Sequence, residues 1–181
     1  QEGLLVANEI HPTRSRILLE NIERCGSANT IVLNNDPKDI SKAFPEFFDM
    51  VLCDAPCSGE GMFRKEDQAV EQWSLENVQA CALRQSYILE EAYKCLKPGG
   101  TMVYSTCTFA IEENELCMQK FIQEHPDMHL VPIEVDFGRK AFDLGCHTDF
   151  KKMLHQQNLL LNSCNHKHCQ KKPKNSLTNF L

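Results

Sequence analysis

The sequence predicts an α/β protein built on a doubly wound parallel sheet. Short apolar runs alternate with segments of helical period over most of the chain, as in successive strand–helix–strand units. The runs at 49–54 and 101–106 are continuous rather than alternating, which is typical of parallel strands buried on both faces. Because a helical stretch of crossover length separates them, we expect these two strands to be parallel and close in the sheet.

The N-terminal part predicts two strands joined by a helix. Residues 4–10 form an apolar strand that ends in an acid. Pro12 suits the first turn of the following helix, and Gly26 suits its C-terminal cap. A second strand is expected at 30–33, before Asn34-Asn-Asp-Pro37.

The middle part predicts the two continuous strands and a long helix between them. Residues 38–47 indicate a short loop or helix, and 59–72 a polar loop. Ser74 is a suitable N-cap for an amphipathic helix, and Lys97-Pro-Gly-Gly100 is expected to end it and turn into the strand at 101–106.

The pattern weakens towards the C-terminus. Glu112, Glu113 and Glu115 are expected in the first turn of a helix, where the dipole favours acids, and one more strand is expected at 129–135. From about Phe137 the periodicity fails. We therefore divide the chain into an α/β domain at 1–136 and an irregular, poorly ordered tail at 137–181.

Composition limits the kind of protein this can be. The 181 residues suffice for one core, no apolar run is long enough for a membrane span, and no signal peptide is visible. The ten cysteines show no disulfide framework, which favours reduced thiols and a cytoplasmic location. The chain does not begin with Met, so we expect it to be a piece of a longer protein. Residues 151–181 contain six lysines and no acid, so the preceding residues are more acidic than the net charge of −6 indicates.

Two cysteines follow the two continuous strands. Cys57 comes just after the strand at 49–54, and Cys107 just after the strand at 101–106. Open α/β sheets bind ligands at the carboxyl ends of their strands, so both sulfurs are expected in one site. The alternative is that either cysteine is only a small buried hydrophobe, which is our interpretation of Cys53 and Cys95.

Acids end three of the predicted strands. Glu9, Asp36 and Asp54 all fall at the same predicted edge of the sheet. A carboxylate after the second strand of a dinucleotide-type fold accepts hydrogen bonds from ribose hydroxyls, and another can accept from an adenine amino group. Acids also favour strand ends and turns for purely structural reasons, and this alternative stays open for each residue taken alone.

Seven segments together resemble the Sun/Fmu-type RNA (cytosine-5) methyltransferases, most closely the bacterial ribosomal-RNA members. The match spans roughly residues 3–133 in order, and its segments are Val6-Ala-Asn-Glu-Ile10, Asn35-Asp-Pro37, Asp54-Ala-Pro-Cys-Ser-Gly59, Gly59-Glu-Gly-Met-Phe-Arg-Lys65, Leu96-Lys-Pro-Gly-Gly100, Ser105-Thr-Cys-Thr108 and Glu113-Asn-Glu115. The resemblance implies a Rossmann-like methyltransferase sheet. A lone Pro-Cys is weak evidence, whereas the paired cysteine boxes are specific.

The resemblance also implies roles. Cys107 would be the nucleophile, Cys57 would help to release the product, and Asp54 would contact the target cytosine near N3. Glu9, Asp36, Asp54 and Arg14 would bind S-adenosylmethionine as cofactor. The implied partner is RNA, and the bacterial members point to ribosomal RNA. No membrane and no metal are implied, and the oligomeric state is left open.

Other interpretations compete with this one. DNA cytosine methyltransferases use a Pro-Cys nucleophile, which would give Cys57 the leading role, but the Ser-Thr-Cys-Thr box argues against them. Amino-group methyltransferases carry an Asp/Asn-Pro-Pro-aromatic loop, and this chain has Asp-Ala-Pro-Cys there. A redox disulfide between Cys57 and Cys107 is conceivable but lacks a Cys-x-x-Cys motif.

In the tail, the Cys164 to Cys169 segment has metal-ligating residue types at a spacing too cramped for a zinc knuckle.

The glycine-rich cofactor loop of the family and the strand before it have no counterpart in residues 1–181. In family order they would precede residue 1. We therefore expect exposed strand edges and feeble cofactor binding by this chain alone. The leading hypothesis is C5-methylation of cytosine in RNA through a Cys–C6 adduct, and the alternative is a non-catalytic RNA-binding remnant of such an enzyme.

Overall fold

A computed structural model describes residues 3–131 and 166–172 of the chain, which divide into two compact units at Ala43 and Phe44. The first unit contains, in chain order, β1 (Leu5–Asn8), α1 (Pro12–Arg24), β2 (Thr30–Leu33) and α2 (Pro37–Ala43). β1 and β2 pair in parallel, from Leu5 opposite Thr30 to Asn8 opposite Leu33. The predicted strand–helix–strand unit is thus confirmed, including the helix start at Pro12.

The second unit holds a four-stranded sheet with helices packed on it. Its elements, in chain order, are β3 (Phe48–Asp54), a 3-10 turn (Glu60–Met62), α3 (Asp67–Gln72), α4 (Leu75–Cys95), β4 (Leu96–Ser105), α5 (Glu115–Glu124), β5 (Met128–Leu130) and β6 (His166–Lys171). The strand order is β3-β4-β6-β5. β3 and β4 are parallel as predicted, while β6 runs antiparallel to both of its neighbours.

The long helix α4 begins where the sequence predicts. The side chain of Ser74 accepts a hydrogen bond from the backbone N–H of Asn77 at 3.1 Å, which caps the first turn. α4 packs on β3, β4 and α5. Leu89, Met102, Tyr104 and Phe121 belong to the resulting core.

Two expectations for this region need correction. The segment Lys97-Pro-Gly-Gly100 does end α4, but it lies within β4 as a bulge rather than before it. Phe48 pairs with Leu96 and Met50 with Thr101, so Asp49 alone faces these four residues. Gly99 supplies the left-handed backbone (φ 83°) that the bulge requires. The expected polar loop at 59–72 also contains regular structure, the 3-10 turn and α3.

β6 lies within the segment expected to be irregular. Its pattern is hidden in the sequence because two of its buried positions are Cys169 and Lys171 rather than aliphatic residues. Lys171 keeps its ammonium satisfied by donating to the carbonyl oxygen of Leu96 at 3.2 Å and by lying 4.0 Å above the ring of Tyr93. Of the cramped Cys/His segment, residues 166–169 belong to β6, where Cys169 is a buried free cysteine of the core, while Cys164 lies outside the described residues. Apart from residues 166–172, the rest of 137–181 also lies outside them.

β3 forms an edge of its sheet, as the sequence leads one to expect. Its inner side chains, Val51 and Cys53, pack towards the core, whereas Met50 and Leu52 point to the other face and are 66% and 68% exposed. Among the described residues, no helix has the length and apolar character needed to cross a lipid bilayer.

The packing on α4 gives a first prediction. Leu89 is completely buried, whereas Leu83 on the same helix is 71% exposed. Leu89→Ala should lower the free energy of unfolding by about 2–5 kcal/mol, because it removes buried methyl groups and leaves a cavity. Leu83→Ala, the matched control, should change it by less than about 0.5 kcal/mol. Urea unfolding followed by circular dichroism measures both, and equal effects would show that α4 packs through a different face.

Candidate active site

The carboxyl ends of β3 and β4 lie side by side because the two strands are parallel and in register. Asp54 faces Ser105 at the last step of the ladder. The hydroxyl of Ser105 donates to Oδ1 of Asp54 at 3.1 Å, and the backbone N–H of Ala55 donates to the carbonyl oxygen of Ser105 at 2.9 Å. The chain then leaves the sheet as two loops, which we call the β3 loop (residues 55–66) and the β4 loop (residues 106–114).

Each loop carries one cysteine, and the two sulfur atoms meet. Sγ of Cys57 lies 3.1 Å from Sγ of Cys107, and both are free thiols. This is a hydrogen-bonding distance, well beyond the roughly 2.05 Å of a disulfide bond. The sequence predicts that the two sulfurs lie close together, because the two strands before them are parallel neighbours. The structure confirms this proximity.

The two thiols differ in their surroundings. Cys107 is exposed, whereas Cys57 is half-buried. Burial raises the pKa of the Cys57 thiol to about 12, and its hydrogen bond with Cys107 acts in the same direction. At neutral pH, Cys57 therefore holds its proton and can donate it in a hydrogen bond to the sulfur of Cys107. The accessible sulfur therefore belongs to Cys107, whereas the proton donor is Cys57.

A buried glutamate joins the β4 loop to the β3 loop. Glu113 has no exposed surface, and its Oε2 accepts from the backbone N–H of Ser58 at 3.0 Å and from Nε2 of Gln85 at 2.8 Å. The same Nε2 also donates to the carbonyl oxygen of Pro56 at 2.9 Å. Gln85, fully buried on α4, thus binds Pro56 directly and Ser58 through Glu113. These are the residues on each side of Cys57.

A second glutamate joins the loops in the opposite direction. Oε2 of Glu60, in the β3 loop, accepts from the backbone N–H of Phe109 at 2.8 Å and from the hydroxyl of Thr108 at 3.2 Å. Next to it, the backbone N–H of Gly61 donates to the carbonyl oxygen of Cys107 at 2.7 Å. A Cβ at position 61 would collide with that oxygen, so only glycine allows this approach.

Glu113 corrects an expectation about α5. The sequence places Glu112 and Glu113 in its first turn, but α5 begins at Glu115. The side chain of Asn114 donates to the carbonyl oxygens of Thr108 and Ala110, which folds the preceding residues into a compact loop. Neither Glu113 nor Glu60 was predicted as a site residue. Both stand in the segments that resemble the methyltransferase family, which is the only signal that points to them.

In the first unit, Glu9 lies just beyond the end of β1. Its Oε1 accepts from the backbone N–H of His11 at 2.8 Å, and its Oε2 accepts from Nε of Arg14 at 2.8 Å. Burial alone would raise the pKa of Glu9, but the hydrogen bonds from His11 and Arg14, with the charge of Arg14, outweigh it and lower the pKa. Glu9 is thus a carboxylate at neutral pH, and Arg14 orients it.

Asp36 lies beyond the end of β2, directly before α2. Its Oδ1 accepts from the backbone N–H of Lys38 at 2.9 Å, and its backbone oxygen accepts from Asp39. This is the arrangement of a helix N-cap, so the structural alternative accounts for the contact with Lys38. Asp36, Glu9 and Arg14 belong to the first unit, and Asp54, Cys57 and Cys107 to the second.

Within residues 3–131 and 166–172, no three His, Cys, Asp or Glu side chains are placed to hold a metal ion. At the ends of β3 and β4, the second unit carries a thiol pair and the carboxylate of Asp54. An exposed sulfur can attack an electrophilic carbon, and a neighbouring thiol can stabilise the thiolate by hydrogen bonding.

Comparison with known proteins adds independent information. A family model described as 16S rRNA methyltransferase RsmB/F matches residues 1–159. The ribosomal RNA small subunit methyltransferase F of Aeromonas salmonicida is 44% identical over 126 residues, which cover 70% of this chain and 26% of that protein. The enzyme of the same name from Vibrio cholerae is 51% identical over 114 residues, which cover 63% and 24%. The chain spans about a quarter of the length of these curated relatives.

Solved structures are similar as well. NSun6 from Pyrococcus horikoshii with SFG superimposes with a TM-score of 0.61 at 28% identity, over 78% of this chain and 35% of that one. A methyltransferase homolog protein from the same organism gives a TM-score of 0.66 at 25% identity, over 94% and 54%. The fold expected from the sequence is that of these proteins.

The raised pKa of Cys57 is directly testable. Only the thiolate form of Cys57 reacts with iodoacetamide. The observed rate at which Cys57 is alkylated should therefore rise about tenfold per pH unit between pH 7 and 10, with no plateau. Free cysteine, with a pKa of about 8.5, is the control and levels off within this range. Peptide-resolved mass spectrometry measures the rate at Cys57. A plateau below pH 10 would show that burial does not keep this thiol protonated.

Proposed function

We propose that this chain, which belongs to the 16S rRNA methyltransferase RsmB/F family, carries the catalytic thiols of an enzyme that methylates C5 of a cytosine in ribosomal RNA. The observation that carries the proposal is the thiol pair at the ends of β3 and β4, with sulfurs 3.1 Å apart and unequal in burial. The relatives named for ribosomal RNA methylation support the substrate class.

The need for a thiol follows from the chemistry of the base. C5 of cytosine is a weak nucleophile, and addition of a thiolate at C6 makes C5 enamine-like. Cys107 is the better nucleophile because its sulfur is exposed to an incoming base. Asp54, at the same edge, is proposed to bind the base near N3 and to stabilise the adduct.

Cys57 has a different role. As a thiol hydrogen-bonded to Cys107, it can stabilise the thiolate of Cys107 before it attacks C6. After methyl transfer, solvent water takes the proton from C5, the C5–H electron pair forms the C5–C6 double bond, and the C6–S electron pair returns to Cys107 as a thiolate. The hydrogen bond from Cys57 stabilises that departing thiolate. Loss of Cys57 should therefore slow release of the product more than formation of the adduct.

The proposed cofactor is S-adenosylmethionine. SFG, present in the similar NSun6 structure, is an analogue of it. When bound, S-adenosylmethionine supplies an electrophilic methyl group. The first unit offers residues that fit it: Glu9 is a carboxylate oriented by Arg14 and suits a ribose diol, and Asp36 is proposed to accept from the adenine amino group. The free thiols of the described cysteines agree with a cytoplasmic enzyme.

The division of labour between the thiols predicts opposite results for two variants of the complete gene product. Cys57→Ala should accumulate a covalent protein–RNA adduct, seen as a slow band on a denaturing gel with ribosomal RNA and S-adenosylmethionine. Cys107→Ala should form none. Cys25→Ala, which alters an exposed thiol of the first unit, is the matched control and should behave as wild type. Absence of an adduct from Cys57→Ala would favour a non-catalytic RNA-binding protein.

The cofactor assignment has its own test. Glu9→Gln should weaken the binding of S-adenosylhomocysteine, the demethylated cofactor, to the complete gene product by about tenfold, because an amide accepts hydrogen bonds from hydroxyls less strongly than a carboxylate. Calorimetric titration measures the affinity. Glu20→Gln, at an exposed position on α1, is the control. Equal affinity in the two variants would remove Glu9 from the cofactor site.

A further inference from the structure

Each of the two loops that carry the cysteines binds a glutamate side chain of the other loop. Glu113 belongs to the β4 loop and binds the β3 loop, while Glu60 belongs to the β3 loop and binds the β4 loop. Each carboxylate reaches a backbone N–H one or two residues after the cysteine of the other loop, at Ser58 and at Phe109. The two reciprocal contacts therefore lie on either side of the thiol pair.

The contacts of Glu113 are well suited to hold a loop in place. The carboxylate is fully buried, and both Ser58 and Gln85 donate to it. The orientation of the Gln85 amide follows from chemistry, because its NH₂ group faces two acceptors, Glu113 and the carbonyl oxygen of Pro56. Oε1 of Gln85 is left buried without a hydrogen-bond partner within the described part of the chain, so the amide is committed to donating.

The contacts of Glu60 complete the arrangement from the opposite side. Its Oε1 accepts from Nε1 of Trp73 at 3.1 Å, which orients the carboxylate towards the β4 loop. A further hydrogen bond, between the hydroxyls of Ser58 and Thr108 at 2.9 Å, links the residues that directly follow the two cysteines. Together with the contacts of Glu60 and Glu113, this hydrogen bond ties the two loops at the residues that follow the cysteines.

We propose that Glu60 and Glu113 are reciprocal positioning residues that set the distance between the sulfurs of Cys57 and Cys107. Neither side chain is proposed to touch the base or the cofactor. The part of this inference that concerns catalysis depends on the proposed function, whereas the part that concerns the sulfur distance depends only on the contacts described above.

The test compares how favourably the two thiols form a disulfide, without any methyl transfer. The chain is equilibrated with mixtures of oxidised and reduced glutathione. Cys107 attacks the oxidised form and releases one glutathione thiol, and the sulfur of Cys57 then displaces the second. The protein thiols lose two protons and two electrons, and one oxidised glutathione becomes two reduced molecules. The equilibrium constant for the Cys57–Cys107 disulfide reports how closely the fold holds the two thiols.

The variants have distinct expected results. Glu113→Ala should lower the equilibrium constant at least tenfold, and Glu60→Ala at least threefold, because the Gly61–Cys107 bond still restrains the loops in the latter. Glu113→Gln should stay within about threefold of wild type, since its amide oxygen can still accept from Ser58. Glu112→Ala, at the exposed neighbouring position, should stay within twofold. Tandem mass spectrometry identifies and quantifies the disulfide.

Thermal unfolding is measured for each variant, so that a folding defect is recognised. If Glu113→Ala does not fold, Glu60→Ala decides the question, and a wild-type equilibrium constant in that variant would overturn the proposal. Folded Glu60→Ala and Glu113→Ala proteins with wild-type equilibrium constants would overturn the proposal.

A parallel measurement in the complete gene product separates this inference from the proposed function. Glu60→Ala should lower kcat for methyl transfer and leave KM for RNA unchanged, because it alters the thiol pair and not the RNA contacts. If no protein, wild type included, transfers a methyl group, the proposed function fails while the glutathione equilibria still decide the positioning role.

Discussion

The parallel register of β3 and β4 is the constraint on which the candidate site depends. Pairing of Asp54 with Ser105 makes both strands end at the same level, so the loops that follow leave the sheet as neighbours. Cys57 and Cys107 then lie within three residues of those ends. A slip of one residue would turn every side chain of β3 to the opposite face and separate the loops. α4, anchored at Ser74 and buried through Leu89, stabilises this register from one side of the sheet.

The loops determine where the two cysteine side chains point, which the strands alone do not. Strand ends place two loops near each other, but they do not determine where a side chain on each loop points. Here the backbone of one loop binds a carboxylate of the other, and the Gly61–Cys107 hydrogen bond requires a position without a Cβ. The result is an asymmetric pair, in which one sulfur faces solvent and the other is half-buried with its pKa raised. Such asymmetry suits a reaction in which one thiol bonds to a base and the other assists its departure.

The regular elements were largely predictable from the sequence because their causes are local. Continuous apolar runs indicated β3 and the end of β4, Pro12 marked the start of α1, and Ser74 marked the start of α4. What depends on distant contacts was missed. The bulge at Lys97 to Gly100 faces Asp49 across the ladder, a pairing that the local sequence does not show, and two of the buried positions of β6 are Cys169 and Lys171 rather than aliphatic residues. Glu113 looked like a residue of a helical first turn, and only tertiary structure reveals it as a buried acceptor. The roles of Asp54, Glu9, Asp36 and Arg14 remain predictions.

The central claim is that Cys107, and not Cys57, bonds to the base. It is tested most directly by trapping the complete gene product with ribosomal RNA that contains 5-fluorocytosine, since fluorine at C5 blocks the elimination that frees the enzyme. The attached residue is then identified by mass spectrometry of the nuclease- and protease-digested complex. The account predicts a nucleotide bonded to Cys107 in wild type and no nucleotide on Cys57. A nucleotide bonded to Cys57 would contradict it.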